Sequence, residues 1–370
     1  MQQVKHLIWA MIFMAIPSYG QELSLFFVGD TGKDTIPPET LYLLEVEAKL
    51  AGNSVIVFLG DNVYPRGNQP NQAARHPATR TLLNQLDVFD QYKGQLYVTS
   101  GNHDWANGKP KGLDNMRTQA SLVNEWKKNY PAIANQDVYQ PDADAAGPVR
   151  VEIHPKVSLI FIHSQAFLQR GRRRIPDAST DNLKTQLEIK LNECIEKGQH
   201  GIIIAHHPIY SNGKHAASLQ PWRFLIQYTP LQVFGLAGLN QVIRQNIHHP
   251  RYRRYAKSIT EVLEHFENAV YISGHDHNIQ HIPKAGNHFI ISGSGSKQER
   301  IGHYFNKARM MEDRLQGFVR LKILDNGQVI LTAHSTKYRG EFTRYRLLEE
   351  PVKRKHSAQD SLSNSHKTLK

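Results

Sequence analysis

The chain has 370 residues, of which 40% are hydrophobic, and it carries a formal net charge of +12 with a pI of about 9.6. This length suffices for one large domain or two small ones, and the basic balance indicates either a solvated basic face or anionic partners such as phosphate esters, nucleic acid or anionic lipid. The basic clusters, at 170–174, at 251–254 and in the C-terminal tail, do not interleave with aromatic residues as in known nucleic-acid modules, so we expect no specific nucleic-acid partner. The single cysteine, Cys194, excludes an internal disulfide, and we expect it to be buried and inert on a helix.

The first twenty residues are predicted to be a secretory signal peptide. A basic start precedes an apolar core at 7–16 and a small-residue exit at 17–20. The core is short for a membrane span, an uncleaved anchor is the alternative, and no later segment is apolar enough to be transmembrane. We therefore expect an exported protein, periplasmic or extracellular, with one domain at 21–348 and a basic disordered tail at 349–370.

The first elements after this segment form a strand–helix–strand unit. Residues 23–28 read as a strand, Pro37 opens a helix, and 55–59 is a second buried strand. Such a connection makes the two strands parallel, so Asp30 and Asp61, which follow them, are expected at the same edge of a sheet.

The rest of the first half alternates between loops, helices and one more strand. A loop rich in proline and amides at 62–77 is expected near the site. The further predicted elements are a helix at 79–92, a strand at 95–99 that leads to Gly101, Asn102, His103 and Asp104, a helix at 116–128 and irregular structure at 130–147.

The second half is predicted to contain more strands than helices. The predicted elements are a hairpin of 149–153 and 157–162 that ends at His163, a helix carrying Leu183, Leu187, Leu191 and Ile195, a strand at 201–205 that ends at His206, helices near 231–247 and at 257–267, and strands at 270–273, 279–282 and 288–292. Three last strands, at 318–323, 329–334 and 342–346, either close a sheet or form a small appendage. His163 is expected to be a hydrogen-bonded or surface histidine, with a supporting position near the site as the alternative.

Five short polar runs follow the predicted strands and organise the chain. They are Gly29-Asp30-Thr31-Gly32, Gly60-Asp61-Asn62-Val63-Tyr64, Gly101-Asn102-His103-Asp104, His206-His207-Pro208 and Gly274-His275-Asp276-His277. An open α/β sheet presents its ligands at the carboxyl ends of its strands, so these runs are expected to converge. Carboxylate, amide, imidazole and phenol donors without thiolate suit iron, manganese or zinc.

Taken together, the five runs resemble the motifs of the calcineurin-like metallophosphoesterase superfamily. The first run lacks the histidine of the usual Asp-x-His motif and the second ends in Tyr64, which resembles the purple acid phosphatase branch. The Gly274 run and the later segment 291–295 look most like the small, tartrate-resistant type. This resemblance implies a four-layer α/β/β/α sandwich of two mixed β-sheets flanked by helices, whereas periodicity alone gives only an α/β class.

The resemblance also implies a dinuclear metal centre, with Fe(III) beside Fe(II), Zn or Mn. It assigns Asp30, Tyr64 and His277 to the ferric ion and Asp61 to a bridge between the two ions. The divalent ion is assigned to Asn102, His206 and His275. Two cations about 3.5–4 Å apart require such an anionic bridge.

Several further residues are candidates for catalysis or support. His103 is predicted to protonate the leaving group or hold the phosphate, and Asp104 to orient that imidazole. His207 is expected to form a wall of the cleft, and His215 to lie near the substrate or to be only structural. Lys214 either strengthens binding of anionic substrates or faces water.

The most specific function that these residues imply is an exported acid phosphatase that hydrolyses small phosphate monoesters by attack of a metal-bound hydroxide. The first alternative keeps the fold but acts as a phosphodiesterase, nucleotidase or pyrophosphatase with zinc or manganese. The second alternative is a non-catalytic binding module at the cell surface. The sequence does not predict the oligomeric state.

Overall fold

The computed structural model describes residues 22–169, 175–216, 247, 249–301 and 306–355. The predicted signal peptide, the arginine cluster at 170–174, nearly all of the predicted helix at 231–247 and the tail beyond 355 lie outside the described residues. Among the described residues, no helix combines the length and apolar character needed to span a bilayer.

Two mixed sheets form the centre of the molecule. The strands of the first sheet are β1 (Leu23–Val28), β2 (Ser54–Phe58), β3 (Gln95–Val98), β12 (Gly317–Ile323), β13 (Val329–Ser335) and β14 (Gly340–Leu348), in the order β14-β13-β12-β1-β2-β3. Those of the second are β4 (Val149–His154), β5 (Val157–Ile162), β6 (His200–Ala205), β8 (Val270–Ser273), β9 (Ile279–Lys284), β10 (Asn287–Ser292) and β11 (Met310–Glu312), in the order β11-β9-β10-β8-β6-β5-β4. A separate two-stranded pair joins β7 (Phe266–Glu267) to β15 (Lys353–Arg354).

Helices cover the outer faces of both sheets. The α-helices in the described part of the chain are α1 (Glu39–Ala51), α2 (Pro77–Asp87), α3 (Gly112–Trp126), α4 (Ser164–Leu168), α5 (Thr180–Glu196) and α6 (Pro250–Leu263). Short 3₁₀ turns occur at Ala106–Gly108, Lys127–Asn129 and Lys214–Ala216.

The apolar side chains of the strands pack in three layers, which establishes the predicted α/β/β/α sandwich. On β1, Leu25 and Phe27 face the second sheet and pack in one cluster with strand residues such as Phe161 of β5. The intervening Phe26 packs with the helices that cover the first sheet, and Ile160 of β5 packs with those that cover the second. Each central strand is therefore apolar on both faces, as expected for strands buried between layers.

The C-terminal strands close the first sheet rather than form an appendage. β12 pairs antiparallel with β1 from Leu23↔Ile323 to Phe27↔Val319, and β13 and β14 extend the sheet beyond it. The first residues of the predicted tail, 349–355, belong to the fold instead, because they include β15 and because Val352 is buried in the outer core of the second sheet. Arg354 also pairs with Glu188 on α5 at 2.7 Å.

Helix α6 begins seven residues before its predicted start. His249 caps its first turn by accepting a hydrogen bond from the backbone N–H of Arg251 at 3.2 Å, and Pro250 occupies the first helical position. Tyr252, Tyr255 and Ile259 then form the buried stripe that fixes this helix on the second sheet.

Candidate metal centre

The five polar runs converge at the carboxyl ends of strands from both sheets. In the first sheet β1, β2 and β3 are parallel neighbours, and in the second β6 and β8 are parallel neighbours. The predicted ligands that follow these ends are Asp30 after β1, Asp61 and Tyr64 after β2, Asn102 after β3, His206 after β6, and His275 and His277 after β8. The shared strand direction is what brings the seven side chains together.

The first donor group consists of Asp30, Tyr64 and His277. The phenol of Tyr64 donates a hydrogen bond to Asp30 Oδ1 at 2.9 Å, and its oxygen lies 3.2 Å from His277 Nε2. His277 Nε2 is in turn 3.5 Å from Asp30 Oδ1. Three donor atoms from three separate runs therefore face one point.

The second donor group consists of Asn102, His206 and His275. Asn102 Oδ1 lies 3.0 Å from His206 Nε2 and 2.9 Å from His275 Nδ1, and the two ring nitrogens are 3.3 Å apart. His206 donates its other N–H to the carbonyl of Leu59 at 2.9 Å, which directs Nε2 into the site. The amide of Asn102 donates to Asn107 Oδ1 at 2.7 Å, so its oxygen is the atom presented.

Asp61 lies between the two donor groups. Its Oδ1 is 3.4 Å from His206 Nε2 and accepts a hydrogen bond from the backbone N–H of His103 at 2.8 Å. Asp30, Asp61 and His206 can each place one donor atom within 4.8 Å of the others. This position fits a carboxylate shared by two cations.

The spacing and clearance of these atoms fit metal ions. Neighbouring ligands of an ion held at about 2.0–2.2 Å lie about 3 Å apart, which matches the contacts within each group. A Cβ on Gly101 would lie 2.3 Å from Asp61 Oδ1, and one on Gly274 would lie 2.6 Å from Asp30 Oδ2. The backbone therefore approaches both carboxylates as closely as glycine permits, and the donor set fits a dinuclear centre.

The buried carboxylates of the cluster need positive charge beside them, which protons or metal ions can supply. Burial would lower the pKa of His206, but the carboxylate of Asp61 outweighs it and raises that pKa to about 9. Burial likewise opposes the charged form of His277, yet Asp30 and Glu299 raise its pKa to about 10. Burial, reinforced by Asp30 and Asp61, raises the pKa of the Tyr64 phenol well above its usual value. Protons thus balance the carboxylates in the metal-free protein, and metal binding would displace them.

His103, which is predicted to protonate the leaving group or hold the phosphate, has a partly exposed side chain beside Tyr64. Its ring stacks at a tilt on Tyr64, with 4.3 Å between the ring centroids. Nδ1 lies 2.8 Å from the carbonyl oxygen of Pro65, which can only accept, so Nδ1 carries a hydrogen. Nε2 therefore remains available toward the cleft, 3.9 Å from Asp61 Oδ2.

Asp104 does not orient His103, contrary to the prediction. Its carboxylate is fully buried and accepts hydrogen bonds from the backbone N–H groups of Gly101 and Val63, at 2.8 and 3.1 Å, and from the side chain of Gln119 at 2.8 Å. Burial, with the nearby charge of Asp61, raises the pKa of Asp104 to about 7. Asp104 therefore ties two of the ligand-bearing loops to α3, and the Pro65 carbonyl takes the orienting role.

His207 and His215 flank His275 from two sides. His207 is fully buried, with 4.6 Å between its ring centroid and that of His275, and its Nδ1 lies 2.8 Å from the Ser164 hydroxyl; its place in the wall of the cleft stays a prediction. The His215 ring lies 4.1 Å from that of His275, and its backbone N–H donates to Asp276 Oδ1 at 3.1 Å. Both histidines therefore support a predicted ligand.

His163 is buried and hydrogen-bonded, not on the surface. Its Nε2 donates to the carbonyl of Pro141 at 3.0 Å, and its Nδ1 lies 2.8 Å from the Ser100 hydroxyl. Trp105 donates its indole N–H to that hydroxyl at 2.8 Å. This chain of hydrogen bonds supports the segment that carries Asn102.

Sequence reasoning did not find Glu299 and Lys297. Glu299 Oε1 lies 3.3 Å from His277 Nδ1 and 3.2 Å from the ammonium of Lys214, so Lys214 pairs with a carboxylate at the exposed rim. The Lys297 ammonium lies 3.1 Å from the centroid of the Tyr64 ring. The sequence signal for both residues is their position, because they lie two and four residues after the glycine-containing segment 291–295.

A second group of possible metal-binding atoms adjoins the site. His215, Asp276 and Glu299 can bring one donor atom each within 4.8 Å of the others. Asp276 already accepts hydrogen bonds from the Ser211 hydroxyl and from the backbone of His215, and Glu299 is paired as above. These residues form a wall of the site.

Comparisons with known proteins show what this chain is similar to. The family model for calcineurin-like phosphoesterases matches residues 23–278. The chain is similar to two purple acid phosphatases of Arabidopsis thaliana: it is 23% identical to purple acid phosphatase 3 over 76% of this chain and 65% of that protein, and 21% identical to purple acid phosphatase 7 over 87% and 82%. The match therefore spans less than two thirds of the first of these relatives.

Solved structures share the fold at low sequence identity. GAP50, described as the anchor in the inner membrane complex of Plasmodium, superposes with a TM-score of 0.53 and 19% identity over 93% of this chain and 94% of that one. A purple acid phosphatase from yellow lupin (Lupinus luteus) seeds superposes with a TM-score of 0.52 and 14% identity over 88% and 53%. At these identities the likeness is one of fold.

Proposed function

Because this chain belongs to the calcineurin-like phosphoesterase family, we propose that it is a dinuclear-metal phosphatase that hydrolyses small phosphate monoesters in the manner of a purple acid phosphatase. The observation that carries the proposal is the convergence of two three-residue donor groups, with Asp61 between them, at one edge of the sandwich. Export to a periplasm or the cell exterior is part of the proposal and is supported by the basic, apolar and small-residue pattern of the first twenty residues.

The two donor groups differ in chemistry, which supports different metals. Asp30 and Tyr64 would give a ferric ion two anionic oxygens, with His277 as its nitrogen ligand. Asn102, His206 and His275 would hold a divalent ion, either iron, zinc or manganese. Asp61, whose pKa is held below its usual range by His206 and His103 against the effect of burial, would serve both ions.

Such a centre, when bound, supplies Lewis acidity toward the phosphoryl oxygens and an activated water as the nucleophile. When both of its ring nitrogens are protonated, His103 supplies the proton for the leaving alkoxide from Nε2, because Nδ1 keeps its hydrogen on the Pro65 carbonyl. His215 packs on His275 and so holds the substrate side of the second donor group in place. Asp104 fixes the loops that carry Asp61 and Asn102, which keeps the donor atoms at their spacing.

The proposal is tested by metal analysis, the visible spectrum and phosphatase assays on one aerobically oxidised preparation. We expect two metal ions per chain, hydrolysis of p-nitrophenyl phosphate and a broad visible band that disappears in Tyr64→Phe. The matched control is Tyr97→Phe, because Tyr97 bonds Gln95 at 2.9 Å, near the opposite end of β3 from the site. That variant should keep the band.

Other outcomes separate the proposal from its alternatives. A colourless protein that holds two zinc or manganese ions and hydrolyses phosphate esters would retain the dinuclear phosphatase and remove the iron assignment. Preference for diesters or nucleotides over monoesters would favour the phosphodiesterase or nucleotidase alternative. A protein without metal or activity after reconstitution would refute the proposal in favour of a non-catalytic binding module.

A further inference from the structure

A cavity opens directly beside the first donor group. It has a volume of about 440 Å³ and is lined by Lys33, His277, Ser296, Lys297, Glu299 and Gln316, among others. This volume falls within the range of small-molecule sites, about 300–1,000 Å³. Since His277 belongs both to the donor group and to the cavity wall, a ligand in this cavity would lie next to a substrate at the metal centre.

Lys297 brings a positive charge to the boundary between the cavity and the metal centre. Its ammonium lies over the face of the Tyr64 ring, 3.1 Å from the centroid. No carboxylate of the described residues lies within 4.0 Å of this ammonium. The carboxylates of Asp30, Asp61 and Glu299 attract the ammonium from beyond that distance, so in the described part of the chain no ion pair occupies its charge.

Lys33 adds a second ammonium on the same cavity. The nearest carboxylate in the described part of the chain is that of Asp34, at 3.9 Å, and both side chains are more than half exposed, so this pair is weak. An anion that entered the cavity would thus meet two ammonium groups with little competition.

Three of the other polar residues of the wall are engaged in internal contacts, and the neutral Gln298 completes the lining. The Glu299 carboxylate is compensated by His277 at 3.3 Å and Lys214 at 3.2 Å. Ser296 donates its hydroxyl to the carbonyl of Asp30 at 2.5 Å, and Gln316 donates to the carbonyl of Ser296 at 3.0 Å. The two lysines are consequently the charged groups of this wall that no strong internal contact occupies.

We propose that Lys33 and Lys297 form a lysine subsite that binds a second phosphoryl group of the substrate while the first is held at the metal centre. The inference rests on the proposed function. A terminal phosphoryl group carries close to two negative charges near neutral pH, which matches two ammonium groups. The substrate class is therefore compounds with two adjacent phosphoryl groups, foremost phosphoanhydrides.

The reaction balances without any co-reactant besides water. The water oxygen forms a bond to the phosphorus at the metal centre, and the bridging P–O bond breaks. Its electron pair leaves with the phosphoryl group on the lysine subsite, which takes the proton from His103 or from solvent. The lysine subsite thus stabilises the charge that appears on the leaving group.

Calorimetric titration of the metal-loaded protein with methylenediphosphonate and with inorganic phosphate tests the proposal. The readout is the ratio of the two dissociation constants, because both probes contact the metal centre and only one reaches the lysine subsite. Loss of one charge-assisted hydrogen bond should reduce the preference for methylenediphosphonate about tenfold in Lys297→Met. Lys297→Arg should retain most of the preference, and Lys33→Met should reduce it less than Lys297→Met does.

The matched control is Lys93→Met. Lys93 is an exposed lysine on a cavity of similar volume, about 440 Å³, which lies near the starts of β2 and β3 at the opposite edge of the first sheet. This variant removes the same charge and should leave the ratio unchanged.

An unchanged ratio of dissociation constants in both Lys297→Met and Lys33→Met would overturn the lysine subsite. Equally weakened binding of methylenediphosphonate and of phosphate would also overturn it, because that result indicates a general electrostatic effect of the lysines. A wild-type protein that hydrolyses p-nitrophenyl phosphate but does not prefer methylenediphosphonate would overturn the subsite and leave the proposed function intact. A wild-type protein that neither binds phosphate nor hydrolyses monoesters would overturn both.

Discussion

Replacing His163 should reduce the sensitivity of this protein to acid. Burial lowers the pKa of His163 to about 3, whereas the same histidine in the unfolded chain titrates near 6.5. Between pH 6.5 and pH 3 the unfolded state therefore binds a proton at His163 that the folded state does not bind. The free energy of unfolding falls as the pH falls through this range. Each pH unit in this window costs about 1.4 kcal/mol, which makes the loss at pH 5 about 2 kcal/mol relative to neutral pH.

The hydrogen bonds around His163 explain why the neutral form is required. Nε2 already donates to Pro141, so the neutral ring accepts from Ser100 at Nδ1, and Ser100 in turn accepts from Trp105. A proton on Nδ1 would reverse the bond to Ser100 and leave its hydroxyl hydrogen without this acceptor. A buried charge would thus come with a broken hydrogen bond.

The assay is urea unfolding of wild type and His163→Gln at pH 7.5 and pH 5, with the two losses in free energy compared. The variant should lose about 2 kcal/mol less than wild type, whatever its stability at neutral pH. His265→Gln, on an exposed histidine, should lose as much as wild type. Equal losses in wild type and His163→Gln would refute the reasoning.

Three further perturbations follow from the same geometry. Gly101→Ala places a Cβ 2.3 Å from Asp61 Oδ1 and should lower both metal content and activity, the latter by about 100-fold. The control Gly198→Ala strains a backbone with a φ of +63° but brings its Cβ near no other atom, so it should cost some stability and keep metal content and activity at the wild-type level. Leu187→Ala removes a fully buried side chain of α5 and should cost about 2–5 kcal/mol in chemical unfolding, and a cost below 1 kcal/mol would contradict its assignment to the core. Chelation should lower the thermal midpoint, because the buried carboxylates lose their cations. If the metal had been present at 1,000 times its dissociation constant, the loss of stability would be about 4 kcal/mol. An unchanged midpoint would argue against metal in the native protein.

The sequence predicted best those parts of the fold that end in the site. Strands such as β2 and β6 are short apolar runs followed by Asp61 or His206, and burial on both faces leaves them little freedom of composition. The meeting of strands from the two sheets follows from the resemblance to a family and not from periodicity. The sequence left open whether the last strands close a sheet or form an appendage, because the pairing of β12 with β1 joins residues about 300 positions apart.

What the sequence did not reveal has physical reasons. Helix α4 has five residues and β15 has two, too few to show a period. The first turns of α6 contain several arginines, so no apolar pattern predicted a helix there, although Tyr252 and Tyr255 show helical spacing. Residues that meet only in the folded chain, such as Lys297 and Tyr64, carry no spacing that could be recognised.

Asp104 and His103 are neighbours in the sequence, but their side chains have different partners. Asp104 directly follows His103, which suggested that the two side chains interact. In the structure its carboxylate turns inward and accepts backbone N–H groups from two loops, because a buried carboxylate is stabilised by several fixed donors. Neighbours in sequence at a turn can serve opposite sides of the backbone.

Each donor group draws on both sheets. Asp30 and Tyr64 follow strands of the first sheet and meet His277 from the second, while Asn102 from the first meets His206 and His275 from the second. Each bound ion would therefore have ligands from both sheets. Separating the two sheets would break metal–ligand bonds at both ions. Metal binding would then depend on folding, because neither ion finds a complete set of ligands until the two sheets have packed together.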